Sequence, residues 1–273
     1  MANLPTVGRN IYDYLRAVPQ AKLVNGSEGA VSIAGQNNRY NSILIDGARI
    51  NDQFGLNGSG LASFFNPLSI DTLEQLSVQV SPYDARESGF TGASINAVTK
   101  SGTNQFHGSA YYLVSKDRIF GLRGQGADIA PGPTLGVVPA LKRTTMGATL
   151  GGPIVEDKLF FFASYEKFER DAQAPSFGPA GSGASNIVTG ITQAQIAEVA
   201  AIAKDVWKFN AGTFNPPSSL NTEIEDILVK FDWNINESHR ASLRLNKTEQ
   251  VLPILPNFGS RSLSLSSHWY NNI

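Results

Sequence analysis

Apolar and polar residues alternate along much of the second half of the chain. In the segment LFFFASYEKF, residues 159–168, alternate side chains would point to opposite faces of a β-strand. One face then carries the apolar and aromatic run of Leu159, Phe161, Ala163 and Tyr165. The same alternation recurs in residues 227–233, 241–246 and 262–269. One such strand would also fit a soluble sandwich. Its repetition, without helices between paired strands to cover a sheet, predicts the wall of a membrane β-barrel.

Charged residues in the later segments, Lys230, Asp232 and Arg244, occupy only one parity, which we interpret as the lumen side because a charge that faces lipid is costly. Two sets of side chains follow from this assignment. Those expected to face lipid are Phe161, Tyr165, Val229, Phe231, Leu243 and Leu245. Those expected to face the lumen are Ser164, Glu166, Lys230, Asp232, Ser242 and Arg244.

The connections between the predicted strands fall into two length classes. Residues 153–157 and 234–238 are short turns, whereas residues 117–143 and 170–223 are long. Outer-membrane barrels have this arrangement, with tight periplasmic turns and long extracellular loops. Within the second long loop, residues 193–208 read as an amphipathic helix that we expect to pack against the rest of the loop. Its apolar stripe would consist of Ile196, Val199, Ala203 and Val206.

The first hundred residues have a different character. They are rich in Gly, Asn and Ser, and they contain short β-like pieces at 30–34, 41–46 and 73–80. Residues 10–18 have apolar positions at helical spacing. Asp46 and Gly47 form a turn signal directly after the second β-like piece. This part of the chain therefore predicts a small domain of short strands and loops.

The predicted fold class is an α+β domain followed by the antiparallel strands of an incomplete transmembrane β-barrel. We place the first domain at residues 1–101, because the irregular sequence gives way to strand alternation near Gly102. Residues 102–273 would form the N-terminal part of the barrel, with about five or six strands.

The composition narrows the possible functions. The chain has no cysteine, so neither a disulfide framework nor a thiolate metal site can form. Its formal net charge of −1 argues against nucleic acid as a partner. No run approaches the ~18 apolar residues of a transmembrane helix. The opening residues, MANLPT, lack the features of a signal peptide, so we expect the chain to begin partway into a longer exported protein.

Residues with reactive or metal-binding side chains show no catalytic pattern. His107, His239 and His268 are scattered and lack the spacing of metal ligands. Asp46 and Asp52 lie beside turn-forming residues, where Asp commonly bonds to its own backbone. The glycine-rich stretch GLNGSG lacks the Lys-Ser/Thr end of a phosphate-binding loop. We therefore predict no catalytic residue, no metal site and no cofactor, and we do not expect an enzyme.

Several motifs resemble one protein family. The first of them are GQNNRY at residues 35–40, IDG at 45–47, SPYD at 81–84 and GFTG at 89–92. They continue as INAVTKSGTN at 95–104, FHG at 106–108, LGGPI at 150–154 and DKLFFF at 157–162. Together they look like the plug domain of a TonB-dependent outer-membrane receptor of the Oar-like subgroup, running into its first barrel strands. The resemblance covers nearly the whole chain outside the two long loops.

The resemblance implies a location in the bacterial outer membrane and energy-coupled uptake or passage of a substrate. Membrane lipid and the TonB energy-transducing protein would be the partners. A barrel of this family has about 22 strands, so we expect the chain to be a fragment of such a receptor. In this family, loops of the plug help to bind substrate. The corresponding side chains suit a peptide or glycan-like substrate, and they are Gln36, Asn37, Asn38, Arg39, Asp52, Phe54 and Tyr83.

A charge pair between plug and barrel is a further hypothesis. Lys100 immediately precedes the first barrel strand, and Glu166 is a lumen-facing acid on a nearby strand. We expect these two side chains to pair. Such pairs beside a wet lumen contribute about 0–1 kcal/mol each, which suits a plug that is retained at rest and displaced by a pull. The other interpretation is that these charges only solvate the plug surface.

Two other functions stay open at this point. A secreted or surface-attached β-rich protein could use the Gly- and Asn-rich loops for ligand binding or adhesion. A peptidase is suggested only by the carboxypeptidase-regulatory-like domain that often precedes the plug in this subgroup. It would need a zinc site or a nucleophile with its base, and the sequence shows neither.

Overall fold

The structure is a computed structural model that divides the chain into two compact units. The first comprises Met1–Tyr111, Gly147–Glu166 and Glu225–Thr248, and the second comprises Tyr112–Met146, Lys167–Ile224 and Glu249–Ile273. The residues that the structure describes are 11–15, 17–24, 30–52, 60–61, 68–80, 90–116, 141–174, 176–255, 259, 261–266 and 270–272.

The N-terminal part of the first unit, which we call the plug, is built on a four-stranded sheet. Its strands are β3 (Ser42–Ile45), β4 (Ala48–Arg49), β5 (Leu73–Val80) and β6 (Ala93–Thr99), in the order β4-β3-β6-β5. β6 runs parallel to β3 and antiparallel to β5. A helix and a small antiparallel sheet precede these strands, and they are α1 (Ile11–Leu15), β1 (Ala21–Leu23) and β2 (Val31–Ile33).

The hairpin between β3 and β4 turns at Asp46 and Gly47, as the sequence predicts. Both residues have left-handed backbones, with φ of 46° and 82°. Asp and Gly are the residues that tolerate this conformation, because a short polar side chain or no side chain avoids the steric clash. The Asp46 N–H donates to the Ala97 carbonyl at 2.8 Å, so β6 fixes the position of the turn.

The second part of the fold is a six-stranded sheet, which we call the wall, with the open order β14-β13-β12-β9-β8-β7. Its strands are β7 (His107–Lys116), β8 (Leu141–Val155), β9 (Leu159–Gln173), β12 (Ser219–Asn236), β13 (His239–Ile254) and β14 (Tyr270–Asn272). The predicted fold class, an α+β plug followed by the antiparallel strands of an incomplete barrel, is confirmed. The proposed domain boundary between residues 101 and 102 falls in the connection from β6 to β7.

The core of the first unit contains residues of both the plug and the wall. Leu15 and Ile33 of the plug are 1% and 0% exposed. Phe162 of β9 and Leu228 of β12 belong to the same cluster, and each is 1% exposed. Because full burial of such a side chain contributes ~1.5–3 kcal/mol, these two residues give the wall an apolar surface for the plug.

Exposure along the wall strands follows the alternation in the sequence. On the parity assigned to the lumen, Ser164 and Lys230 are both 8% exposed. On the parity assigned to lipid, Leu243 and Leu245 are 59% and 62% exposed. Ser242 shares the lumen parity but is exposed. Burial under the plug is therefore restricted to part of the lumen face.

The connection from β9 to β12 in the second unit has its own structure. It contains a short parallel pair, β10 (Phe177–Gly178) with β11 (Asn186–Ile187), and the helix α2 (Gln193–Asp205). Thr192 begins α2 with a capping box, in which its hydroxyl accepts from the Gln195 N–H at 3.3 Å. No helix within the described ranges is long and apolar enough to cross a membrane.

The predicted apolar stripe of this helix is only partly correct. The helix ends at Asp205, and its Ile196, Ala200 and Ala203 positions are partly buried. Val199 and Val206 were expected on the packed stripe, yet they are 59% and 67% exposed. The reason is geometric, because only a narrow face of the helix, that of Ile196, Ala200 and Ala203, packs against the loop. Val199 and Val206 lie at the edge of that face.

The lipid-facing assignment can be tested with two adjacent positions of β13. Leu245→Arg should reduce the folded fraction of the protein in membranes, because a basic residue facing lipid near mid-depth costs ~2–4 kcal/mol. Asn246→Arg lies at the same depth on the opposite parity and should assemble almost normally. Heat-modifiable mobility in semi-native gels measures the folded fraction, and equal losses in the two variants would show that the parity is wrong.

Candidate functional site

The carboxylate of Asp46 is the centre of a contact between the plug and the wall. It accepts hydrogen bonds from the Thr99 N–H at 2.8 Å and from the Thr99 hydroxyl at 2.7 Å, which tie the β3–β4 turn to the end of β6. Arg244 of β13 donates to the same carboxylate from Nη1 at 2.9 Å. One side chain thus connects a plug hairpin, the last plug strand and a wall strand.

The charge state of Asp46 follows from its surroundings. Burial raises the pKa of this carboxyl, but the hydrogen bonds from Thr99, the Lys230 charge and the Arg244 guanidinium outweigh the burial. The net result is a pKa below the ordinary value for Asp. Asp46 is therefore ionised at neutral pH, as its ion pair with Arg244 requires.

Lys230 of β12 adds a second bond to the same end of β6. Its side chain donates to the Thr99 carbonyl at 3.3 Å and to the Ser101 hydroxyl at 3.1 Å. The ammonium lies 3.9 Å from Asp232, which partly compensates its charge. The N–H, hydroxyl and carbonyl of Thr99 are therefore all bonded, the first two to the plug turn and the third to the wall. We call Asp46, Thr99, Ser101, Lys230 and Arg244 the Asp46 contact.

A second polar contact joins Ser69 of the plug to the wall. The Ser69 hydroxyl donates to Glu166 Oε2 at 2.8 Å, and the Tyr111 hydroxyl donates to the same oxygen. Ser69 is 3% exposed, and its hydroxyl also accepts from the Asp71 N–H at the start of a short 3-10 turn. We call Ser69, Tyr111 and Glu166 the Ser69 contact.

The segment between β6 and β7 lies tightly against the β8–β9 hairpin. A Cβ on Gly102 would lie 2.3 Å from the Phe161 carbonyl oxygen, so only glycine fits there. Asn104 then forms two bonds to Asp157 in the hairpin turn, donating to its carboxylate at 2.6 Å and accepting from its N–H at 2.9 Å. The glycine and the asparagine of the SGTN motif therefore have packing roles.

Comparisons with known families agree with this architecture. A model of the TonB-dependent Receptor Plug Domain matches residues 5–94, and a model of an Outer membrane beta barrel domain matches residues 98–268. The chain belongs to the TonB-dependent outer-membrane receptors. It is accordingly a protein of the bacterial outer membrane, and this receptor has the plug and wall arrangement of its family.

Individual relatives are similar over much of the chain. The TonB-dependent transporter Oar of Myxococcus xanthus is 30% identical over 84% of this chain, and the probable TonB-dependent siderophore receptor PirA of Acinetobacter baumannii is 27% identical over 60%. The crystal structure of the outer membrane transporter YddB of Escherichia coli shares the fold, with a TM-score of 0.62 at 17% identity over 93% of this chain and 32% of that one.

These matches cover only a small part of the relatives' length. The chain spans only 20% of Oar and 22% of PirA, about a fifth of the curated relatives it matches. These relatives are transporters and receptors, not enzymes, and no comparison supports the adhesion protein considered from the sequence. Among the described residues, no three His, Asp or Glu side chains lie close enough to hold a metal ion.

The structure brings two of the predicted substrate-contacting loops of the receptor together. Asn37 begins a short 3-10 turn by accepting from the Arg39 N–H at 3.0 Å, and Asn38 is 9% exposed. The Asp52 N–H donates to the Gly60 carbonyl at 3.0 Å, and Gly60 lies beside Asn38. Asn37 and Asn38 thus have local structural roles.

Of the other predicted substrate-contacting residues, the structure describes some and not others. Gln36 and Arg39 are exposed beside this turn. Phe54 and Tyr83 lie outside the described residues. Their contact with a substrate stays a prediction for all of these side chains.

The bonds given for Lys100 and Glu166 do not test their predicted pairing, because the bond of Lys100 is made by its backbone. The Lys100 N–H donates to the Thr72 carbonyl at 2.7 Å, whereas the Glu166 carboxylate accepts from Ser69 and Tyr111. The Lys100–Glu166 pair stays a prediction. An ion pair that the structure does show between plug and wall is Asp46–Arg244. Its signal in the sequence is the IDG motif, which predicts a turn and matches the family but does not predict this pair.

The Asp46 contact can be tested by a double-mutant cycle in the receptor. Asp46→Asn keeps a residue that tolerates the left-handed turn, and Arg244→Gln keeps most of the side-chain length. Each should lower the free energy of opening of β6 by ~1–3 kcal/mol, because each leaves a partly buried partner without its charged bond. The double variant should lose clearly less than the sum. Hydrogen–deuterium exchange of peptides covering Ala93–Thr99 gives these energies.

Arg240→Gln is the matched control for this cycle. Arg240 lies on the same strand as Arg244, but it is exposed. It should leave the exchange of β6 unchanged. Strictly additive losses in the Asp46 and Arg244 variants would show that the two residues do not stabilise the plug through their pair.

The lowered pKa of Asp46 also predicts a pH dependence. The ionised Asp46 contributes fully to the opening free energy of β6 at pH values above the unfolded carboxyl pKa of about 3.9. This contribution is lost as the pH falls through the lower pKa that Asp46 has in the folded protein. The difference in β6 opening energy between the receptor and Asp46→Asn should therefore be constant from about pH 8 to pH 5 and shrink below about pH 4. Hydrogen exchange corrected for intrinsic rates measures it. A difference that grows on acidification would contradict the ionised state.

Proposed function

We propose that the chain forms the plug and the first wall strands of a receptor that moves a ligand across the outer membrane when TonB displaces the plug. The observation that carries this proposal is the way the plug is held on the lumen face of the wall. Among the described residues, the Asp46 contact and the Ser69 contact join the plug to the wall through polar bonds, and Phe162 and Leu228 join it through apolar packing.

The strength of this attachment suits reversible displacement. A hydrogen bond to a charged group contributes ~1.5–3 kcal/mol, and a partly exposed ion pair contributes less. The side chains of Arg244 and Asp46 are 18% and 22% exposed, so water can replace their bonds when they separate. A small number of such bonds holds the plug at rest, but it does not require the plug to be permanently fixed.

The ligand-binding surface of the plug would lie on the loops that contain Gln36, Arg39 and Asp52. Gln36 and Arg39 are exposed and present an amide and a guanidinium to solvent. Phe54 and Tyr83 would add aromatic faces. Donors, acceptors and rings in this mixture suit a peptide or a glycan-like ligand, in agreement with the chemistry that the sequence predicts.

Plug displacement by TonB can be followed with a single cysteine, because the chain has none of its own. Ser69→Cys is nearly isosteric and places a thiol at a site that is only 3% exposed in the resting plug. In cells, a membrane-permeant maleimide should label this thiol several-fold faster when TonB is present and energised, because the Ser69 contact opens. Fluorescence of the labelled receptor on a gel measures the rate.

Ser109→Cys provides the control for labelling. Ser109 lies on β7 and is exposed at rest, so its labelling should not depend on TonB. If Ser69→Cys is labelled at the same rate with and without TonB, the plug does not leave the wall in an energy-dependent way, and the proposed function fails.

A further inference from the structure

The connection from β9 to β12 encloses two adjoining hollows within the second unit. The larger has a volume of about 420 Å³ and the smaller about 240 Å³. Gln193 at the start of α2 and Phe214 line both hollows, so the two adjoin at these side chains and we consider them together as one site. Sites for small ligands typically measure ~300–1,000 Å³, so this volume is large enough for a ligand of that size.

Backbone hydrogen bonds hold the walls of this site in place. The Ala174 N–H donates to the Ser218 carbonyl at 3.2 Å and closes the two ends of the connection. Thr213 and Ser266 exchange two bonds, at 3.0 and 3.1 Å, which fix the segment that carries Phe214. A site held in this way loses little conformational entropy when a ligand binds.

The lining of the site is uncharged throughout. The larger hollow is mainly polar and contains Ser176, Asn215 and Ser218, whereas the smaller is mainly apolar and contains Ile196 and Leu265. A charged ligand would lose hydration there without meeting an opposite charge, which is unfavourable. The lining therefore favours a neutral ligand over a charged one.

Three polar side chains of the lining are available to such a ligand. Gln193, Asn215 and Ser218 make no side-chain hydrogen bond within the described part of the chain. Two amides and a hydroxyl can both donate and accept, so they match neighbouring hydroxyl groups on a ligand. Phe214 adds an aromatic face between the polar and the apolar hollow.

We propose that this site binds a neutral oligosaccharide. Its hydroxyl groups bond to Gln193 and Asn215, and the apolar face of one sugar ring packs on Phe214. A peptide fits less well, because its termini and many of its side chains are charged. This proposal rests on the proposed function, since it assigns a ligand class to the receptor, but it concerns a site separate from the plug loops.

The test is direct binding to the receptor in lipid nanodiscs, because maltoside detergents themselves carry sugars. The probes are maltotetraose, cellotetraose, laminaritetraose and chitotetraose, with tetragalacturonate as the charged comparison. Saturation-transfer NMR should show binding of at least one neutral probe and none of tetragalacturonate. Phe214→Ala and Asn215→Ala should each weaken that binding at least about tenfold.

Phe209→Ala is the control, since Phe209 lies in the same connection, is 48% exposed and does not line the site. It should bind as the unchanged receptor does. Absence of binding by all four neutral probes, equal binding of tetragalacturonate, or full binding by both site variants would overturn the proposal. If TonB-dependent labelling at Ser69→Cys persists in that case, only this proposal fails. If binding is found but the labelling does not respond to TonB, the site stands and the transport function fails.

Discussion

The bond between Asp46 and Arg244 joins the plug to the wall through a carboxylate that also holds two plug elements together. A carboxylate in a left-handed turn is held by Thr99 on one side and by a wall guanidinium on the other. The turn aims the carboxylate, and the end of β6 fixes the turn through Ala97 and Asn96. A displacement of β6 would therefore break the bonds of Asp46 to both the plug and the wall. The same bonds therefore stabilise both the internal order of the plug and its attachment to the wall.

Apolar and polar contacts hold the plug on the wall in different ways. Phe162 and Leu228 extend the plug's core onto the lumen face of the wall, and their burial is not directional. Asp46, Ser69 and their partners set the register, because hydrogen bonds require particular distances and angles. Polar bonds near a wet lumen can be exchanged for bonds to water, whereas a larger apolar contact could not.

The long connection from β9 to β12 shows how a loop can have a fixed shape without a core of its own. A capping box begins α2, and backbone bonds close the loop at Ala174 and Ser218. Gly178 is also required, since a Cβ there would lie 2.3 Å from the Ser182 hydroxyl. These bonds, together with those between Thr213 and Ser266, order the segments that line the two hollows.

The sequence by itself determined three features of the protein. These are the strands of the wall, the assignment of their side chains to lipid or lumen, and the Asp46-Gly47 turn. Alternation with period two is a local property of a strand, and a charge facing lipid is so costly that parity can be read directly from Lys230 and Arg244. Only the tertiary structure decided the partners. Arg244 lies 198 positions from Asp46, and Lys230 lies 131 positions from Thr99. Pairing over such separations depends on how the plug meets the wall, which no local pattern contains.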